Sequence, residues 1–135
     1  MGASESKASD FQVGCNLDEE TGRLLDAYAR LCEVSRSKLL GLLIVREFNL
    51  RRLEDLRGRH AGSDEKFNSK RVTARMMSRE RRDRFREHVE SLNMGTEDGL
   101  ALLARAEVEE LWFGRTMKMP ESELILAIEK GRVAL

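Results

Sequence analysis

The chain has 135 residues, 36% charged and 41% hydrophobic, with one proline and a formal net charge of +0. This fits one domain, or one pseudo-symmetric pair of half-domains, with a helix-leaning composition. It argues against a membrane span, a disulfide scaffold or a thiolate metal site, because no apolar run matches a bilayer and Cys15 and Cys32 lack C-x-x-C spacing; reduced core thiols and a cytoplasmic location are expected instead.

In chain order, residues 1–9 are expected to form a disordered tail. Phe11, Val13, Cys15 and Leu17 then alternate with Gln12, Gly14 and Asn16, the two-residue period of a half-buried strand. Asp18 is placed to cap a helix whose first turn carries Glu19 and Glu20, both favourable at the positive helix end. Leu24, Leu25, Tyr28, Leu31 and Cys32 form its apolar stripe. Ser35 caps a second helix running through Leu39, Leu40, Leu42, Leu43, Ile44, Val45 and Phe48, apolar almost all round and so in need of cover on several sides. The polar stretch 51–69, with Gly58 and Gly62, is expected to prolong that helix and then act as a linker.

The order then recurs. Val72, Ala74 and Met76 alternate with Arg71, Thr73 and Arg75, and Ser78 caps a helix bearing Phe85, Val89 and Leu92. A break at Asn93-Met94-Gly95 leads into Thr96 and a helix through Leu100, Leu102, Leu103, Val108, Leu111 and Trp112. The offset is 59 residues in the strand and 60 in the first helix, one extra residue at the junction. A register slip of one would turn the arginines into the core, so arginine belongs outside and valine inside. Beyond Gly114, Pro120 with Glu121 and Glu123 opens a short helix whose stripe of Leu124, Ile125 and Ile128 is expected to fold back on the core. The expected organisation is a tail at 1–9, a first unit at 10–55, a linker at 56–69, a second unit at 70–113 and an extension at 114–135.

Charge is unevenly spread. Residues 70–90 hold eight basic side chains against four acidic ones, whereas 91–135 hold five against eight. A local basic patch attracts a polyanion whatever the total charge. In the helix after Ser78, Arg79 with Asp83 and Glu80 with Arg84 have the spacing of ion pairs on a solvated face. Tyr28 and His88 read as packing or boundary residues, and Trp112 and Phe113 as closing the core.

Residues 11–40, above all Asn16-Leu17-Asp18-Glu19-Glu20 and Val34-Ser35-Arg36-Ser37-Lys38-Leu39, resemble the ribbon-helix-helix (MetJ/Arc/CopG-like) superfamily, and the second copy extends the resemblance over about 11–113. The resemblance implies a mainly α fold with a short two-stranded antiparallel β-ribbon. Two tandem ribbon-helix-helix units would form an intramolecular pseudo-dimer, similar to the TraY-type accessory proteins of plasmid conjugative transfer. It further implies a sequence-specific double-stranded DNA-binding protein whose ribbon reads the major groove. Gln12, Gly14, Asn16, Arg71, Thr73 and Arg75 would then face base edges. Ser35, Arg36, Ser37, Lys38 and Thr96, at the starts of the second helices, would meet phosphate. Glu97 and Asp98 oppose phosphate in the second copy, so an asymmetric or imperfectly palindromic site is expected. Further expected partners are a relaxase or secretion-coupling protein of a relaxosome, and a second copy on DNA. A transcriptional repressor or antitoxin acting on its own operator is the competing role, and a helical interaction adaptor the competing class. No nucleophile–base pattern, metal cluster or phosphate loop points to an enzyme, and no cofactor or metal is expected.

Overall fold

The computed structural model describes residues 12–60, 70–75 and 78–133. Phe11, Met76, the tail at 1–9 and residues 61–69 of the expected linker lie outside them. Strand β1 (Gln12–Leu17) pairs antiparallel with β2 (Lys70–Arg75), placing Gln12 opposite Arg75, Gly14 opposite Thr73 and Asn16 opposite Arg71. Val13, Cys15, Leu17, Val72 and Ala74 are buried, whereas Gln12, Asn16, Arg71 and Arg75 are exposed. The arginine-out register is therefore the one adopted.

Seven helices accompany this two-stranded sheet among the described residues: α1 (Glu19–Leu31), α2 (Arg36–Leu50), α3 (Leu53–His60), α4 (Arg79–Ser91), α5 (Thr96–Glu110), α6 (Trp112–Thr116) and α7 (Glu121–Val133). None of them is long and apolar enough to cross a membrane. The first helix of each copy begins at a side-chain cap: Asp18 accepts from the Thr21 amide at 3.0 Å, and Ser78 from the Arg81 amide at 3.2 Å. Ser35 caps α2 through the Lys38 amide at 3.1 Å, whereas α5 starts at Gly95, which has no side chain to offer.

The helices cross between the copies. α2 packs beneath β2 and α5 beneath β1, so each strand rests on the other copy's second helix. Gly41 of α2 is needed for this approach, since a Cβ there would stand 2.7 Å from the Arg75 carbonyl oxygen, a backbone atom with little freedom to yield. The nearly all-round apolar α2 finds its cover here: Leu39, Leu40, Leu43 and Ile44 are fully buried. Leu100, Leu103 and Ala104 of α5 occupy the same core.

Two expectations are corrected. Residues after Arg51 do not prolong α2: Arg51 is left-handed (φ 49°), and the separate helix α3 runs across the expected 55/56 boundary, burying Leu53 and Leu56. In α7 the buried stripe is Leu124, Ala127, Ile128 and Gly131, while Ile125 is 50% exposed, one position out of register with the surface below. α7 does fold back, lying along α1. Gly131 sits so close to α1 that a Cβ would be 2.9 Å from Leu24 Cδ2.

Candidate nucleic-acid interface

The outer face of the ribbon is a small polar platform. Its central pair, Gly14 and Thr73, is half-buried, and its corners are Gln12, Asn16, Arg71 and Arg75, all exposed. Arg75 has no ion-pair partner among the described residues. Arg71 does not project from its corner: its Nη1 donates to Glu97 Oε1 at 2.8 Å, and its guanidinium lies over Gly14, where a Cβ would meet Cζ at 2.8 Å. Both charges of this pair stay wet, with side chains 54% and 59% exposed, so the pair contributes little to stability.

The expected phosphate-facing residues are placed unequally. Ser35 and Lys38 are exposed at the start of α2, and Ser37 is half-buried there. Arg36 is turned back into the protein, its Nη1 held by Asp26 Oδ1 of α1 at 2.9 Å. Thr96 is half-buried as the first residue of α5, followed by the exposed Glu97 and Asp98. On α4, Asp83 is gripped by Arg82 at 3.1 Å and Arg86 at 2.5 Å. Arg84, expected beside Glu80, instead lies over the Phe48 ring at 4.4 Å from its centroid.

No known protein family, curated protein or solved structure matches this chain.

The core also holds a buried polar cluster whose members recur sixty residues apart. Glu47 and Glu107 are both fully buried, near the ends of α2 and α5. Glu107 Oε2 accepts from the Tyr28 hydroxyl at 2.7 Å, and Glu47 Oε2 meets His88 Nε2 at 2.7 Å. Tyr28 and His88 are themselves sixty residues apart, on α1 and α4, so each copy's first helix reaches the other copy's acid. Each acid also holds the chain where its helix stops. Glu47 accepts from the amides of Arg52 at 2.8 Å and Leu53 at 3.0 Å; Glu107 accepts from Phe113 at 2.7 Å. These bonds offset the left-handed turns at Arg51 and Leu111, which side-chain-bearing residues otherwise avoid. Burial pushes the Glu107 carboxyl above its ordinary range, and the Phe113, Tyr28 and Arg46 donors pull it part of the way back.

Arg46 breaks the match, since its counterpart is Ala106. Its guanidinium is buried beside Glu107 at 3.4 Å and stacks on the Trp112 ring at 4.6 Å. Sequence reading missed this cluster and gave Tyr28 and His88 only packing roles. Aligning the two copies at sixty residues would have exposed it, because Glu47 falls on Glu107 and Tyr28 on His88.

Proposed function

We propose that the chain is two ribbon-helix-helix units in one polypeptide, and that it binds double-stranded DNA by laying the β1–β2 ribbon in the major groove. The observation that carries this reading is the reciprocal exchange between copies: each strand rests on the other's second helix, and Tyr28 and His88 each bond the other copy's buried acid. Such an exchange makes one rigid platform from two matched halves, with an antiparallel ribbon and a polar, arginine-bearing face at its top. A two-stranded ribbon fits the major groove, where arginine bonds guanine O6 and N7 and Gln or Asn bonds adenine N6 and N7, at ~1–3 kcal/mol of discrimination for a good bidentate contact. Arg75, Gln12 and Asn16 are available for this; Lys38, Ser35 and the free amides at the start of α2 serve phosphate. Arg36 contributes less than its sequence position suggests, because Asp26 competes for it.

Within this reading we place the protein in the plasmid conjugative-transfer apparatus, as an accessory that marks a site for a relaxase. The support is the tandem layout, which suits an asymmetric target better than a repressor's palindrome.

Selection of bound sequences from a random duplex pool tests the proposal. The expected outcome is a short site lacking perfect two-fold symmetry, bound with an affinity that falls steeply as salt rises through counterion release. Arg75→Ala is expected to relax the preference at one base position, and Lys38→Ala to weaken all duplexes alike. Failure to retain any duplex at low salt refutes the reading.

A further inference from the structure

The ribbon carries two arginines, and they are held differently. Arg75 is exposed at its corner opposite Gln12, whereas Arg71 is folded inward along the ribbon. Two features make that inward pose. Gly14, on the opposite strand, lacks the Cβ that would displace the guanidinium, and Glu97, from the first turn of α5, takes its Nη1. The remaining donors, Nε and Nη2, form the edge that makes a two-bond contact, and they have no hydrogen-bond partner among the described residues. They lie over Gly14, in the middle of the ribbon.

We infer that Glu97 is a positioning residue for DNA recognition: with the Gly14 notch, it holds Arg71 so that its free edge reads a guanine at the centre of the bound site rather than at its end. The inference rests on the DNA-binding reading above. Its physical basis is preorganisation. A free arginine loses the freedom of four torsions on contacting a base, and a carboxylate that already holds one nitrogen removes part of that loss beforehand. The matched position in the first copy, Ser37, has no charge, and Gln12 stands where Arg71 would be. The device therefore occurs in one half only, and the central guanine should lie on one strand of an unsymmetrical site.

Two other roles for Glu97 predict different results. As a lock that keeps Arg71 from DNA, its removal would tighten binding to the selected site. As a bare negative charge near phosphate, its removal would tighten every duplex alike.

The experiment measures affinities of the full chain for its selected site, for that site with the central base pair changed, and for random duplex. The variants are Glu97→Gln, Arg71→Gln and the double variant, with Asp98→Asn as a charge control. Glu97 is exposed, so the fold is expected to persist, and melting curves check this. The expected result is that Glu97→Gln lowers discrimination at the central base pair at least about five-fold, with random binding no weaker. Added to Arg71→Gln, it should produce no further loss at that position. Asp98→Asn should leave discrimination unchanged. Tighter binding to the selected site, equal changes on all duplexes, or the same loss in the Arg71→Gln background each overturns the inference while leaving DNA binding intact. Absence of duplex binding by the unaltered chain removes both together.

Discussion

Replacing Glu107 by leucine tests whether the buried polar cluster supports the fold as described. The substitution keeps approximate volume and removes the acceptor for three groups: the Tyr28 hydroxyl, the Phe113 amide and the Arg46 guanidinium. A buried donor left without a partner costs ~1–3 kcal/mol, and removing one member of a buried charge pair ~3–5 kcal/mol. Tyr28 still accepts from the Gly114 amide at 2.6 Å, and leucine adds some apolar burial, so the expected loss is about 3–4 kcal/mol. Urea unfolding followed by far-ultraviolet circular dichroism measures it, provided the slope against denaturant is unchanged. Adding Arg46→Met should recover part of the loss, because the buried cation no longer lacks its partner. The loss also depends on pH. The folded carboxyl titrates above its ordinary 4.5, so its contribution is fully present below that value and declines as pH rises through the folded pKa. The penalty should therefore be larger near about pH 4 than near about pH 7. A loss under about 1 kcal/mol at both would refute the paired interior acid.

Three further outcomes follow from other parts of the structure. Gly41→Ala should destabilise by ~1–3 kcal/mol despite alanine's better helix propensity, because its Cβ meets the Arg75 carbonyl; a gain in melting temperature would contradict the close α2–β2 approach. Asp18→Ala should cost about 1 kcal/mol near neutral pH. Although burial raises the Asp18 pKa, the Thr21 bonds prevail and hold it below 3.8, so its contribution is present above that value and lost as pH falls through the folded pKa. The Asp18→Ala penalty should thus shrink in strong acid, and a pH-independent penalty would count against the cap. Burial pushes the Cys15 thiol up to about 12, with Arg71 opposing; its contribution is present below 9.0 and lost as pH rises through about 12. A disulfide reagent should label Cys15 at neutral pH only when urea unfolds the chain, and rapid labelling of the native protein would mean the ribbon opens locally.

Much of this architecture was legible because its signals are local. Alternation along β1 and β2 fixed which side of each strand faces inward, and Asp18, Ser35 and Ser78 marked helix starts where they occur. The break at Arg51 was not legible: neither glycine nor proline marks it, and the turn is held by Glu47, a residue that reads alone as a solvated helix charge. The Arg36–Asp26 and Arg71–Glu97 pairs were hidden because their partners sit on different elements and meet only when those elements pack. Ile125 was misplaced for a smaller reason, since the stripe on α7 is set by Gly131 and Leu124 fitting against α1 and α6.

The unmatched Arg46 has a consequence for how the two halves can pair. Two first halves brought together would set Arg46 against a second Arg52 in place of the Trp112 ring, stacking cation on cation. Two second halves would have Ala106 at that position and no buried guanidinium beside their acids. Each half is thus fitted to a partner that is not its twin, and a symmetric pairing of either half with itself is opposed by chemistry at a few interior positions. The two halves are complementary at these positions rather than interchangeable.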